Sequence, residues 1–105
     1  MEIVETTVFT RRIDRILDAE SYRLLQLHLL QHPDAGDIIR GSGGLRKIRW
    51  APRGSGKSGA ARVIYYWAVD DETILMLFAF GKNEQSDLTT HQLKQLADVV
   101  NQEFR

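Results

Sequence analysis

The chain of 105 residues has no cysteine. That absence excludes disulfides, thiolate nucleophiles, cysteine-based zinc sites and iron–sulfur clusters together, and it fits a reducing compartment. Proline is scarce, at two residues, and neither an internal repeat nor a low-complexity linker is present. One domain spanning residues 1–105 is the expectation at this length. No apolar run approaches the roughly 20 residues of a membrane-spanning helix. The start Met1-Glu2-Ile3-Val4-Glu5 lacks the basic and apolar regions of a signal peptide. A cytoplasmic protein with no membrane partner is expected. Net charge is missing too: 14 basic and 14 acidic residues cancel, which by itself argues against a nucleic-acid partner. With 43% hydrophobic and 27% charged residues, the chain is too mixed to be disordered or fibrous.

A further absence is local. Between Ile38 and Val69 there is no Asp or Glu, but there are seven basic residues: Arg40, Arg46, Lys47, Arg49, Arg53, Lys57 and Arg62. The rest of the chain holds seven basic and fourteen acidic residues, so a segment of charge +7 stands against −7 elsewhere. A cationic surface on an acidic body suits a phosphate-bearing ligand, whereas a merely solvated basic face is the plainer alternative.

Periodicity predicts a short strand over Val4–Phe9, closed by Thr10 as N-cap of a helix Arg11–Leu17. A second helix opens at Asp18-Ala19-Glu20-Ser21 and stops at His32-Pro33, forming a hairpin with the first. The glycines at 36, 41, 43 and 44 suit backbone positions of positive φ. From Leu45 to Trp50, Lys47 and Arg49 alternate with Ile48 and Trp50, as in a half-buried strand with one cationic side. Arg62–Val69 and Ile74–Phe80 are dense in β-branched and aromatic residues and predict two more strands of an antiparallel meander. Leu93, Leu96, Ala97, Val100 and Phe104 form one stripe of a final helix, with Thr89 and Gln92 at capping-box spacing and Leu88 placed to staple Leu93. The expected fold is α+β, in the order β-α-α-β-β-β-α, with a small antiparallel sheet.

Ala51-Pro52-Arg53-Gly54-Ser55-Gly56-Lys57-Ser58 ends like a phosphate-binding P-loop. A P-loop needs a helix straight after its Lys-Ser, yet strand chemistry follows Gly59, so a basic loop that clasps an RNA backbone is the better reading. His28 and His32 have metal-face spacing but no third ligand nearby, and His91 lies in a helix's first turn; no metal or other cofactor is expected. The serines lack a nucleophile-elbow context. What remains is the cationic face itself: Lys47, Arg49, Arg62 and Lys82. Clustered cations can let a lysine act as general base while arginines hold a phosphate.

The element order, together with Gly44-Leu45-Arg46-Lys47-Ile48-Arg49, Arg62-Val63-Ile64-Tyr65-Tyr66 and Phe80-Gly81-Lys82-Asn83-Glu84-Gln85-Ser86-Asp87-Leu88, resembles the RelE/HigB superfamily of toxin–antitoxin toxins. The likeness runs from about Val4 to Phe104 and is strongest to the HigB-type branch, which carries a glycine-rich basic loop between two strands. The resemblance implies a metal-independent mRNA interferase that cleaves mRNA in the ribosomal A site by 2′-hydroxyl attack, leaving a 2′,3′-cyclic phosphate. By position it implies base catalysis and phosphate contact for Lys47 and Arg49, charge stabilisation for Arg62, and a basic role for Lys82. Arg46, Arg53, Lys57 and Asn83 are the implied RNA contacts. Asn83 stands where well-known members place a proton-donating arginine, and Thr89 where they stack a tyrosine on the base. Lys82, Lys57 or ribosomal RNA could supply the proton, and Tyr65 or Tyr66 could stack. The implied partners are the ribosome, mRNA and a cognate antitoxin, commonly of helix-turn-helix type, with DNA reached only through that antitoxin. A non-cleaving RNA- or ribosome-binding module is the competing expectation.

Overall fold

Strand-forming and helix-forming segments follow one another along the chain as β1 (Glu2–Glu5), α1 (Thr7–Ile16), α2 (Ala19–Gln31), β2 (Asp37–Ile38), β3 (Arg46–Trp50), β4 (Ala61–Ala68), β5 (Thr73–Phe80) and α3 (Thr90–Phe104). This is a computed structural model, and it describes residues 1–51 and 60–104. The strands form one sheet in the order β1-β5-β4-β3-β2. The two runs richest in β-branched and aromatic residues, β4 and β5, occupy its interior, where both faces are covered. Among the described residues no helix is long and apolar enough to cross a membrane.

The two faces carry separate cores. On one, Phe9, Ile13 and Leu17 of the first helical segment and Leu25 and Leu29 of α2 pack on Ile48, Val63, Tyr65 and Met76. The helices meet through Phe9 and Tyr22, whose ring centroids are 5.8 Å apart. On the other face, α3 lays Val100, flanked by Leu93, Leu96, Val99 and Phe104, against Leu45, Ile64, Leu75, Leu77 and Phe80. The expected capping box closes as drawn: the Thr89 N–H donates to Gln92 Oε1 and the Gln92 N–H to Thr89 Oγ1, both at 3.0 Å.

Three details differ from the sequence-based expectation. The first strand ends at Glu5, and Thr6 rather than Thr10 caps α1, its hydroxyl accepting the Phe9 N–H at 3.1 Å. Thr6 is the better cap because its hydroxyl also donates to the Leu77 carbonyl, so one side chain starts the helix and satisfies the β5 edge. The sheet is mixed: β3, β4 and β5 form the antiparallel meander, but β1 joins β5 in parallel. Finally, Asp37–Ile38 adds a two-residue edge strand, too short and too exposed to leave an alternation.

Gly36 is required by close approach, since a Cβ there would lie 2.8 Å from the Tyr65 ring. Tyr65 is wholly buried, donating to the Pro33 carbonyl and accepting the Gly36 N–H, each at 2.8 Å. Gly41, Gly43 and Gly44 adopt positive φ, as their turn-rich context predicts.

Candidate nucleic-acid interface

Strand register sets the site. Lys47 lies opposite Ile64 and Arg49 opposite Arg62, while Arg62 lies opposite Phe80 on its other side. Because side chains alternate along a strand, Lys47, Arg49, Arg62 and Phe80 share one face, the face on which α3 packs. Directly opposed residues have Cβ atoms about 5 Å apart, and like charges so placed destabilise a sheet unless something anionic lies between them.

Arg62 is the unusual member. It is 9% exposed and donates from Nη1 to the Ala60 carbonyl at 2.6 Å. Among the described residues no carboxylate pairs with it. A guanidinium keeps its charge and offers five donors, and holding it away from water without a counter-charge costs folding free energy. Such a violation of packing rules is expected where a ligand completes the balance.

Lys47 is engaged: its Nζ lies 3.2 Å from Asp87 Oδ1. The Leu88 N–H donates to the same oxygen at 2.8 Å, and these donors hold the Asp87 carboxyl below the usual carboxylate range. Since Lys47 belongs to β3 and Asp87 follows β5, the connection 81–88 must cross the end of β4, where Arg62 sits. Lys82 and Asn83 are exposed on a turn within that connection. Glu84 pins the turn, its N–H donating to the Gly81 carbonyl and its Oε1 accepting the Gly81 N–H, both at 3.0 Å. The Gly81 N–H first and Arg12 second keep the Glu84 carboxyl below its ordinary range.

Thus Lys47, Arg49 and Arg62 share a face, and Lys82 and Asn83 follow Phe80 by two and three residues at the same end of the sheet. Arg46 stands apart. It lies opposite Tyr65 on the other face, and its Nη1 donates to the carbonyls of Gly36 at 2.7 Å and Asp34 at 3.2 Å, tying down the connection that follows α2. Arg53 and Lys57, with all of the P-loop-like segment after Ala51, lie outside the described residues; the described strand ends on either side, Trp50 and Ala61, pair with each other next to Arg49 and Arg62. Neither candidate stacking tyrosine offers a free ring: Tyr65 is buried, and Tyr66 packs against Phe104 with centroids 5.7 Å apart. His28 and His32 stack near Trp50, and no described cluster could hold a metal ion.

Two cations escaped the sequence reading. Arg12 donates from Nε to the Ala79 carbonyl at 2.6 Å, lies 4.6 Å over the Phe78 ring and pairs with Glu84. With Arg15 it lines a cleft of about 400 Å³ whose opposite wall is Lys82, Asn83 and Glu84. Their three-residue spacing on α1 was the sole signal, and it does not say what the helix faces.

No protein-family model matches the chain. A mixed five-stranded sheet with a helical hairpin before its meander and one helix after it defines an α+β fold of the RelE type. A solved structure of the E. coli toxin RelE, a double arginine mutant in the free state, matches 97% of this chain and 96% of its own, with a TM-score of 0.60 at 14% sequence identity. At that identity the likeness is one of fold.

Proposed function

We propose that this chain is the toxin of a toxin–antitoxin pair, an endoribonuclease of the HigB type that works in the cytoplasm on mRNA held in the ribosomal A site. One observation carries the proposal: Arg62, nearly buried and paired with no described carboxylate, lies directly opposite Arg49 where β4 begins. The fold shared with a protein named as a toxin supports it. In the reaction, a ribose 2′-oxygen gives up its proton and bonds to the adjacent phosphorus while the bond to the 5′-oxygen breaks. The products are a 2′,3′-cyclic phosphate and a 5′-hydroxyl that takes up a proton. Lys47 and Arg49 take the base and phosphate-contact roles, with phosphate displacing Asp87 from Lys47. Arg62 stabilises the charge that grows on the phosphate, a role suited to a guanidinium fixed before substrate arrives. Lys82 is the nearest proton donor on the pinned turn, since the Asn83 amide has no proton to give at neutral pH. Arg53, Lys57 and Asn83 add contacts to RNA. No metal or other cofactor takes part in this scheme. A cognate antitoxin of helix-turn-helix type neutralises the cationic end, and DNA is reached only through it.

A second reading is favoured by Asn83, Thr89 and the Lys47–Asp87 pair: a module that docks on RNA or the ribosome without cutting. Primer extension on mRNA from cells expressing the chain separates the two. Breaks inside codons are expected, whereas translation stalled on intact messages would leave only the docking module.

A further inference from the structure

The cleft between α1 and the 81–84 turn shares Lys82 and Asn83 with the proposed RNA site, and its α1 wall adds chemistry that site does not use. Arg12 is fixed there by the Ala79 carbonyl, the Glu84 carboxylate and the Phe78 ring. Glu84, the one acid among the described lining residues, is already occupied by Arg12 and by the Gly81 N–H. Arg15 and Lys82 therefore leave a surplus of positive charge, with the Asn83 amide beside them. We infer that this cleft is a second phosphate site, which grips the RNA backbone close to the linkage held at Arg62.

The inference rests on RNA being the ligand and extends where the strand runs. From Arg62 to Lys82 the path is one inter-strand step to Phe80 and two residues along the chain, roughly 8 Å. Lys82 thus stands between the linkage at Arg62 and the α1 wall of the cleft, where Arg15 would meet the neighbouring phosphate of an extended strand. The lining offers guanidinium forks, an ammonium and an amide, but among the described residues a single aliphatic side chain, Ile16. Phosphate oxygens match such donors, while an acidic peptide would also need an apolar anchor to bind well. The contact reads no base identity, so it positions the strand without selecting its sequence.

The test is binding of a fluorescein-labelled single-stranded 2′-O-methyl RNA, which lacks the attacking hydroxyl, followed by anisotropy across a salt series. Arg15→Glu is compared with Arg11→Glu, which carries the same charge change on the same helix but lies outside the cleft. Arg15→Glu is expected to weaken binding severalfold and to make the salt slope shallower by about 0.7, the loss of one phosphate contact, with a smaller effect at Arg11. Arg15→Gln gives the same comparison if far-UV circular dichroism shows the charge reversal unfolded. Equal effects at Arg15 and Arg11, no effect at Arg15, or a poly-glutamate peptide held tighter than RNA would each overturn the site. Cleavage of mRNA by a chain whose Arg15 variants bind RNA normally would sink the cleft alone. Messages left intact by a chain whose Arg15 variants bind RNA poorly would sink the nuclease reading alone.

Discussion

Arg46 and Arg49 lie three residues apart on one strand, and the sheet sends them to opposite fates. On the face covered by α1 and α2, Arg46 finds two backbone carbonyls, Trp50 donates to the Ser21 carbonyl at 2.9 Å, and Tyr65 has partners for both its oxygen's roles. On the other face α3 covers only part of the sheet, and beyond it Arg49 and the nearly buried Arg62 lie opposite each other, neither paired with a described acid. One face meets most of its polar groups internally, the buried Trp67 Nε1 being the exception among the described residues; the other leaves cationic donors for something else. Stability and function are thereby divided between the faces, so substitutions on each should move different observables.

The largest effect is expected on the closed face. Phe9 is fully buried among Ile13, Leu25 and the sheet, so Phe9→Ala should cost about 3–5 kcal/mol through lost transfer energy and the cavity left behind. Urea denaturation would show it, and a cost under about 1 kcal/mol would mean the helices are not held as described. Arg62→Met on the open face should do the reverse. Growth arrest and cleavage are expected to fall by about 10²–10³-fold, the scale of one lost electrostatic stabiliser. The urea midpoint should hold or rise, because a cation that pairs with no described carboxylate is exchanged for an apolar chain of similar length. A variant that is both inactive and strongly destabilised would erase the contrast between the faces.

The two arginines of β3 sharpen it further. Arg46→Ala removes charge-assisted bonds to Gly36 and Asp34 and should lower stability by about 1.5–3 kcal/mol, with cleavage changing only as far as folding does. Arg49 is exposed, so Arg49→Ala should leave the urea midpoint within about 0.5 kcal/mol of the parent and reduce cleavage. Opposite outcomes would assign the RNA contact to Arg46 instead.

Much of this division was legible from residue types. The period-two alternation of Lys47-Ile48-Arg49-Trp50 already separates a cationic from an apolar side, and the acid-free stretch from Ile38 to Val69 marks where phosphate could bind. The capping box at Thr89 and Gln92 was legible because it is local. What could not be read was set by distance along the chain. Lys47 meets Asp87 40 residues away, and Arg12 meets Glu84 72 residues away, pairs for which no local pattern exists. The burial of Arg62 left no local mark either, since an arginine at the start of a strand ordinarily reads as exposed. At Thr6 and Thr10 two equivalent caps competed locally, and a tertiary bond to Leu77 decided between them. Arg46 is the instructive case: composition groups it with Lys47 and Arg49, and only strand parity sets it apart.

The smallest expected effects are on the two limbs of a pH–stability profile, each of which reports one face. Asp87 anchors the connection 81–88 to Lys47 of the open face, whereas Glu84 ties it to Arg12 of α1, and both carboxyls are held below their ordinary values of 3.8 and 4.5. A depressed folded-state value contributes stability above the unfolded value and loses it as pH falls through the folded one, so their contribution should disappear below about pH 4. Both side chains are largely exposed, and solvent screening keeps the loss modest. Tyr22 ties α2 to β1 through Glu5 on the closed face, and burial first, then that carboxylate, raises its hydroxyl above the ordinary 10.0. A raised value works with the opposite sign: its contribution is complete below pH 10 and fades as pH climbs toward the folded-state value. Asp87→Asn should therefore reduce the acid limb of the urea midpoint and spare the alkaline limb, and Tyr22→Phe should do the converse. If either substitution moved both limbs equally, the faces would be energetically coupled, and the separation of a stabilising face from an RNA-binding one would fail on its own terms.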